Sequence, residues 1–354
     1  MKKILCESNP MCYGSSTVLL SIIEQLCAKT ICLAFGVAKE VLQNGKSEII
    51  EVNNKSSKDV EAAIKEINFD SVLVVSNTSN LAFYKSLNKK IYFVHIHFFY
   101  PNANTELLNL VDVLFIQKFW NLRQTSSAIQ VGPLIKTPKQ TIQKKKILVN
   151  LGGGESRFIR PGVNSNYGRQ MLNLIIQLKP YFENKEIIVC GGMKIIETIK
   201  ANATQNNIKA LTLSNEDYLK LLDEAEILIS SPGLNAIFEA LYRKIPIVFL
   251  PPQNVSQVYQ LKEYENLKIA VRGLNLTLPN NALTEEEQTK EFLREMASKY
   301  DNFSVVSEQM NFLLKQLEYI KTKKYKNKID LAKEYLGEIG TNQISKIINN
   351  EYGK

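Results

Sequence analysis

The sequence predicts an α/β protein built as two doubly wound parallel sheets in tandem. Three observations lead there. Short apolar runs of strand length alternate with amphipathic helical patterns along most of the chain. The alternation pauses once, at a lysine-rich stretch broken by Pro138, and then resumes. The length, 354 residues, exceeds what one hydrophobic core comfortably serves, so two domains are expected.

In order along the chain, strands are predicted at 3–6, 30–34, 48–52, 71–75, 91–97, 113–116 and 128–131, with helices at 17–26, 57–67 and 81–87 between them. Gly132 and Pro133 end the last strand, and 136–145 reads as a linker. The second series has strands at 146–151, 186–190, 210–213, 227–230, 247–250 and 269–271. Helices at 168–178, 194–201, 216–225, 234–243 and 257–265 separate them. After Thr284 the pattern is helical to the end. The expected organisation is a Rossmann-like domain over 1–135, a linker, and a second Rossmann-like domain over 146–320. Helices over 321–354 are expected to pack back on the first domain. Such sheets bind ligands at the carboxyl ends of their strands, so two facing each other make a cleft.

Composition narrows the function classes. A 45% hydrophobic and 22% charged content suits a globular protein, and no apolar run reaches membrane-spanning length. Lys2 and Lys3 precede an apolar run that breaks at Glu7, Asn9 and Pro10, which reads as a first strand rather than a signal peptide. Five scattered cysteines (Cys6, Cys12, Cys27, Cys32, Cys190) lack metal-ligand spacing and read as free thiols of a reducing, cytoplasmic compartment. With only His95 and His97 available, no histidine-rich metal centre is expected, and no cofactor. The net charge of +9 suits a nucleotide diphosphate, an anionic membrane or nucleic acid, and equally the coding bias of an AT-rich genome. Nucleic-acid signatures are missing, so no nucleic-acid partner is expected. The lysines of 321–328 read as a solvated helix face in preference to a peripheral membrane contact.

The most informative segment is 227–260, ILISSPGLNAIFEALYRKIPIVFLPPQNVSQVYQ. A buried strand ends in Ser230, Ser231, Pro232 and Gly233, and a helix starts at once at Leu234. Main-chain amides and the positive end of the helix dipole then face the strand rim, where a pyrophosphate fits. Asn235 and Glu239 share a helix face, and a carboxylate there can accept both hydrogen bonds of a ribose diol. The same glutamate also fits the exposed face of an amphipathic helix. Pro251 and Pro252 end the next strand, and Gln253, Asn254, Ser256 and Gln257 offer amides and hydroxyls to sugar hydroxyls, or simply start a helix.

This segment resembles the donor-binding signature of the MurG-like and UDP-glycosyltransferase families, whose fold is GT-B. The resemblance implies a turn glycine at Gly233, a ribose-binding Glu239, an entry proline at Pro246 and a sugar-contacting rim over 253–257. Ser256 stands where those families carry an acidic residue, which puts their sugar preference in doubt here. Strand 146–151 runs into Gly152, Gly153 and Gly154, followed by Ser156 and Arg157; glycines there let backbone amides approach a phosphate. The resemblance also implies that the base lies beside Leu213 and Ser214.

For the acceptor, Gly14 and Ser15 open a helix after the first strand. Ser15 falls where MurG-like enzymes carry a histidine, so no base carries over. His95 and His97 fall on one face of a strand near its carboxyl end, and Glu7 ends the first strand; each is a candidate general base. Ordinary half-buried strand histidines are the alternative. The runs VDVLFIQKFW and VNLGGGESRFIRPG resemble the cytosylglucuronate synthase group, which couples a glucuronyl unit to a pyrimidine base. That group carries an acidic residue near the place of His95, a departure.

The expected function is inverting, metal-independent transfer from a UDP-sugar to a small-molecule acceptor. A GT-B sugar-nucleotide hydrolase or 2-epimerase, and a catalytically silent sugar-nucleotide-binding accessory protein, are the alternatives.

Overall fold

The computed structural model describes residues 2–9, 13–52, 57–96, 109–120, 127–138, 145–152, 165–183, 185–274, 287–288, 291–292, 294–295 and 303–352. The chain forms two compact units, Met1–Thr137 with Leu336–Lys354, and Pro138–Tyr335.

The first unit runs β1 (Lys3–Ser8), α1 (Tyr13–Ile23), β2 (Lys29–Ala34), α2 (Val37–Leu42), β3 (Glu48–Glu51), α3 (Ser57–Ile64), β4 (Ser71–Val75) and α4 (Leu81–Ser86). It continues with β5 (Lys90–His95), β6 (Val113–Gln117) and β7 (Ala128–Val131). All pairings are parallel, in the order β3-β2-β1-β4-β5-β6-β7. Because helices cover both faces, the central strands are buried and mostly apolar: β4 is buried at every residue, four of its five being valine or leucine. Leu5, Leu33, Val72, Val74, Phe93 and Tyr84 meet in the core on one face.

The other face is completed from the far end of the chain. Helix α12 (Gly340–Tyr352) lies against α1 and β7. Ser345 Oγ donates to the Ile22 carbonyl (3.2 Å), Asn349 bridges Cys27 N and Gln25 O, and Glu351 receives Lys90 and the Tyr92 hydroxyl. The entry to α12 is a backbone-to-backbone contact: Gly340 N donates to Pro133 O at 2.8 Å. A Cβ on Gly132 would overlap the Glu338 carbonyl, and one on Gly340 would overlap the Gly132 carbonyl.

The second unit runs β8 (Lys146–Asn150), α5 (Ser165–Leu178), β9 (Glu186–Cys190), α6 (Met193–Gln205), β10 (Lys209–Leu211), α7 (Asn215–Asp223), β11 (Ala225–Ser230), α8 (Leu234–Tyr242), β12 (Ile247–Phe249) and α9 (Val255–Asn266), then α10 (Phe303–Ile320) and α11 (Lys323–Leu336). Its sheet is parallel, ordered β10-β9-β8-β11-β12. In α5, Met171, Leu174, Ile175 and Leu178 recur at helical spacing and are all buried.

The predicted strand at 269–271 is not a strand. Ile269 N and Ala270 N both donate to Tyr264 O, and Lys268 adopts φ 60°, so these residues close the C-terminus of α9. Side chains occupy the place a further strand would take beside β12. Gln316 accepts from Phe249 N (2.9 Å) and donates to Phe249 O (2.8 Å), while the Tyr325 hydroxyl accepts from Ile247 N (2.8 Å). The sheet edge is thereby covered rather than left open to pairing. Helix α2 has no counterpart in the sequence reading, and the β5 ladder runs to His95, short of residue 97, which lies outside the described residues.

Backbone atoms cannot move aside as a flexible side chain can, so overpacking here should exceed the usual core cost. Gly132→Ala is expected to destabilise the protein by about 3 kcal/mol or more, measured by denaturant unfolding. Stability within about 0.5 kcal/mol of wild type, the range of neutral surface substitutions, would contradict the packing described.

Candidate functional site

In each sheet the strand order reverses once, between β1 and β4 and between β8 and β11. At such a switch point the flanking crossovers leave on opposite faces, so the strand ends there open a crevice.

In the second unit, the residue after β8 and Leu151 is Gly152, at φ 73°, a left-handed conformation that a side chain rarely adopts. A Cβ at this position would lie 3.2 Å from Ser231 Oγ and 3.3 Å from Gln253 Nε2. Gly152 O accepts from Gly192 N (3.0 Å), Gly152 N donates to Asn150 Oδ1 (2.8 Å), and Gln253 Nε2 donates to Leu151 O. Ser231 N donates to Asn150 O at 3.1 Å. The ends of β8, β9 and β11 and the turn after β12 therefore converge on one glycine.

Helix starts at this rim fall into two kinds. Helix α7 is capped by Ser214, whose hydroxyl accepts from Asp217 N (3.1 Å), and it carries Glu216 and Asp217 in its first turn. Helix α9 is capped by Asn254, which accepts from Gln257 N (3.0 Å). Helix α8 starts at Gly233 and α6 at Gly192 with no side-chain cap and no acidic residue in the first turn. Among the described residues, α6 and α8 thus carry no capping side chain and no acidic residue in their own first turns, and a helix start of this kind suits an anion. The pair Gly191-Gly192 escaped the sequence reading, although two glycines directly after a strand were a usable signal.

The polar rim is less open than its sequence suggests. Gln253 and Gln257 are buried, Gln257 Oε1 accepts from Gln253 N (2.8 Å), and Ser256 Oγ donates to Asn254 Oδ1 (2.8 Å). Gln257 Nε2 lies 3.8 Å from the Cβ position of Gly233. Leu234, the first residue of α8, is buried; Leu213 is half-buried and Ser214 exposed at the start of α7. Gly153 and Gly154 lie outside the described residues. Glu239 is not an exposed helix-face glutamate: it is 6% exposed, and its Oε2 receives Arg243 Nη1.

In the first unit, Glu7 stands at the end of β1, beside the β1/β4 switch point. Its Oε1 accepts from Asn77 Nδ2 (2.5 Å) and Asn80 Nδ2 (2.7 Å), and its Oε2 from the Tyr84 hydroxyl. Burial is the largest influence on this carboxyl and pushes it above its usual range, while the three hydrogen bonds pull it partly back. Both oxygens are engaged in tying β1 to α4, which fits a structural carboxylate better than a base open to substrate. Gly14 and Ser15 sit in the first turn of α1, with Ser15 buried and Ser16 Oγ 3.0 Å from Ser8 Oγ. His95 ends β5, half-buried, its ring edge-on to Phe93 with centroids 5.9 Å apart. His97 lies outside the described residues.

The raised Glu7 carboxyl has a pH signature. Above the ordinary glutamate value of 4.5 the folded state holds its proton longer than the unfolded chain, so this group's contribution to stability falls as pH rises through that window. The stability of wild type minus that of Glu7→Gln should therefore be largest near pH ~4 and decline toward neutrality, measured by denaturant unfolding across the range. A difference growing with pH would show a carboxylate held by its charge.

No family model matches the chain, and no curated protein does. Solved structures do, over nearly their whole length. MurG of Acinetobacter baumannii is 15% identical, with a TM-score of 0.50, covering 94% of this chain and 99% of that one. UGT2 of Phytolacca americana, solved with UDP-2fluoro-glucose and pterostilbene, is 12% identical with a TM-score of 0.54, and each chain is covered fully. A UGT transferase of Siraitia grosvenorii, solved with UDP, is 11% identical with a TM-score of 0.55, again over both whole chains. Two parallel α/β sheets of seven and five strands, crossed over in this order and matched to these structures, give the chain the GT-B fold of MurG and the UDP-glycosyltransferases.

Proposed function

We propose that the protein is a glycosyltransferase that moves a sugar from a nucleotide-diphosphate donor, a UDP-sugar, to a small-molecule acceptor with inversion at the anomeric carbon. The observation that carries this reading is the β8/β11 switch point. There the left-handed Gly152 turn meets an uncapped helix start free of acidic residues, with a carboxylate, Glu239, further along the same helix. A diphosphate at the start of α8 would be met by main-chain amides and the helix dipole, which also stabilise the charge that develops when the glycosidic bond breaks. The reading thus calls for no metal ion. Glu239 is assigned to the ribose and Gln257 Nε2 to the phosphate or sugar. The bound UDP and UDP-2fluoro-glucose of two of the matched structures support the choice of nucleotide.

The first unit is assigned to the acceptor, with free pyrimidine bases among the candidates. Since both Glu7 oxygens are taken, His95 is the preferred base among the described residues, with His97 alongside it in the sequence.

Incubation of the protein with UDP-, GDP- and dTDP-sugars and a panel of acceptors including pyrimidine bases, followed by mass spectrometry, tests the proposal. A new glycoside with free nucleoside diphosphate is the expected product. Free sugar or an epimer would replace transfer by hydrolysis or epimerisation, and nucleotide binding without turnover would indicate a silent binding protein. Gly152→Ala, forcing a side chain into a left-handed turn at about 1–3 kcal/mol, should weaken UDP binding roughly tenfold by titration calorimetry. Unchanged affinity would remove the β8 turn from the site.

A further inference from the structure

Strands β1 and β2 carry two thiols side by side in the interior of the first unit. They pair in parallel, with Cys6 directly opposite Cys32. Residues in register point to the same face of a sheet, and Leu5 and Leu33, each one position away, belong to the core on the other face. Both cysteines are fully buried. Neighbouring strands lie about 4.7–4.9 Å apart, inside the Cα separation of about 4.4–6.8 Å that a disulfide spans. Among the described residues no other two cysteines oppose each other across a strand pair: Cys27 is exposed outside the strands, and Cys190 is in register with Asn150 and Leu211.

The two thiols are not equivalent. Cys6 Sγ donates to Ile4 O at 3.6 Å, and burial pushes its thiol well above the ordinary range. The same S–H group can turn to the Cys32 sulfur once that sulfur loses its proton. This bond is the largest influence on Cys32 and holds its thiol below the ordinary range, against the effect of burial. The Ser47 hydroxyl, 2.6 Å from Thr30 Oγ1, adds a second donor. A thiolate beside a thiol suits dithiol redox chemistry, in which one sulfur attacks and the other resolves. Cys190 is a contrast, its thiol pushed by burial up to about 12. Cys32 also stands one strand from the sheet edge. The edge strand β3 has four residues, none of them buried, so local opening there uncovers β2 without unfolding the unit. Packing alone is the rival account, since cysteine also serves a core as a small apolar residue.

We propose that Cys6 and Cys32 are a redox modification site, a dithiol that a hydroperoxide closes to a disulfide across β1 and β2. The Cys32 sulfur attacks one peroxide oxygen, the O–O bond breaks, and the departing oxygen leaves as water after taking a proton. Cys32 is then a sulfenic acid. The Cys6 sulfur attacks it: the S–S bond forms, the S–O bond breaks, and the hydroxide leaves as water with the Cys6 proton. Two thiols give up two electrons and two protons, and hydrogen peroxide becomes two waters. The disulfide closes a covalent loop around α1 and fixes the strand that carries Glu7 and Ser8. A thiol reductant reverses it by exchange. The site is independent of the transferase reading.

The test treats reduced full-length protein with hydrogen peroxide, blocks the remaining thiols in denaturant, and maps unreduced peptides by mass spectrometry. A linked Cys6–Cys32 peptide that dithiothreitol separates is expected, formed about tenfold or more faster than Cys190 oxidises. In Cys6→Ser, dimedone should trap a sulfenic acid on Cys32, and in Cys32→Ser, Cys6 should stay a thiol. If both remain thiols while Cys27 oxidises, or link only after the protein is unfolded, the pair is core packing and the proposal is overturned. Linkage of either one to a different cysteine overturns the pairing. A sulfenic acid trapped on Cys6 in Cys32→Ser overturns Cys32 as the attacking sulfur. Should the serine variants not fold, the wild-type map decides by itself.

Discussion

Parallel strands cannot be joined by a tight turn, because each must return to the same end of the sheet before pairing again. The return path is a crossover, usually a helix laid across one face. Strand pairing in both units is parallel throughout, and much else follows. Central strands are buried on both faces and carry apolar runs in their middles, Ile4–Cys6 in β1 and Val72–Val75 in β4. Every strand ends at the same rim, so the polar residues that follow strands collect there. Where crossovers change face, at β1/β4 and β8/β11, the rim opens, and Glu7 in one unit and Gly152, Ser231 and Gly233 in the other lie beside these openings.

A buried parallel sheet also has edges and faces to close. In the second unit the edge at β12 is satisfied by side chains: Gln316 imitates a neighbouring strand's backbone with one acceptor and one donor, and Tyr325 serves the next amide. In the first unit the open face is covered by α12, drawn from more than two hundred residues away. Its entrance passes so near the backbone that only glycine fits at 132 and 340. Both closures rely on exact donor–acceptor matching of main-chain groups, which are costly to leave unpaired in a core.

The two carboxylates of interest illustrate how environment sets role. Glu7 is surrounded by neutral donors from Asn77, Asn80 and Tyr84, and burial raises its carboxyl. Glu239 is as buried but faces a guanidinium that is itself held by a second carboxylate. The first arrangement binds strand to helix within its unit. The second holds a carboxylate in a fixed direction on a helix whose own first turn carries no acidic residue.

The sequence by itself determined the α/β alternation, the pause between two series of strands, and the strand–glycine–helix element at 227–239. These are local properties: hydrophobic period, turn residues and helix-start residues act within a few positions of one another. It misread 269–271, where an apolar triplet of strand-like composition closes a helix, because composition does not say whether a partner strand is present. It left the amides at Gln253 and Gln257 open between sugar hydroxyls and a helix start; in the fold, part of their hydrogen bonding goes to Leu151 O and Gln253 N. Only the tertiary structure decided the ion-pair chain Asp223–Arg243–Glu239, the covering of β12 by Gln316 and Tyr325, and the seating of α12. Each joins residues from separate elements, and no periodicity records such pairings. Their formation is set by the crossing of helices over a parallel sheet, which brings distant side chains within hydrogen-bond reach only after the sheet has formed.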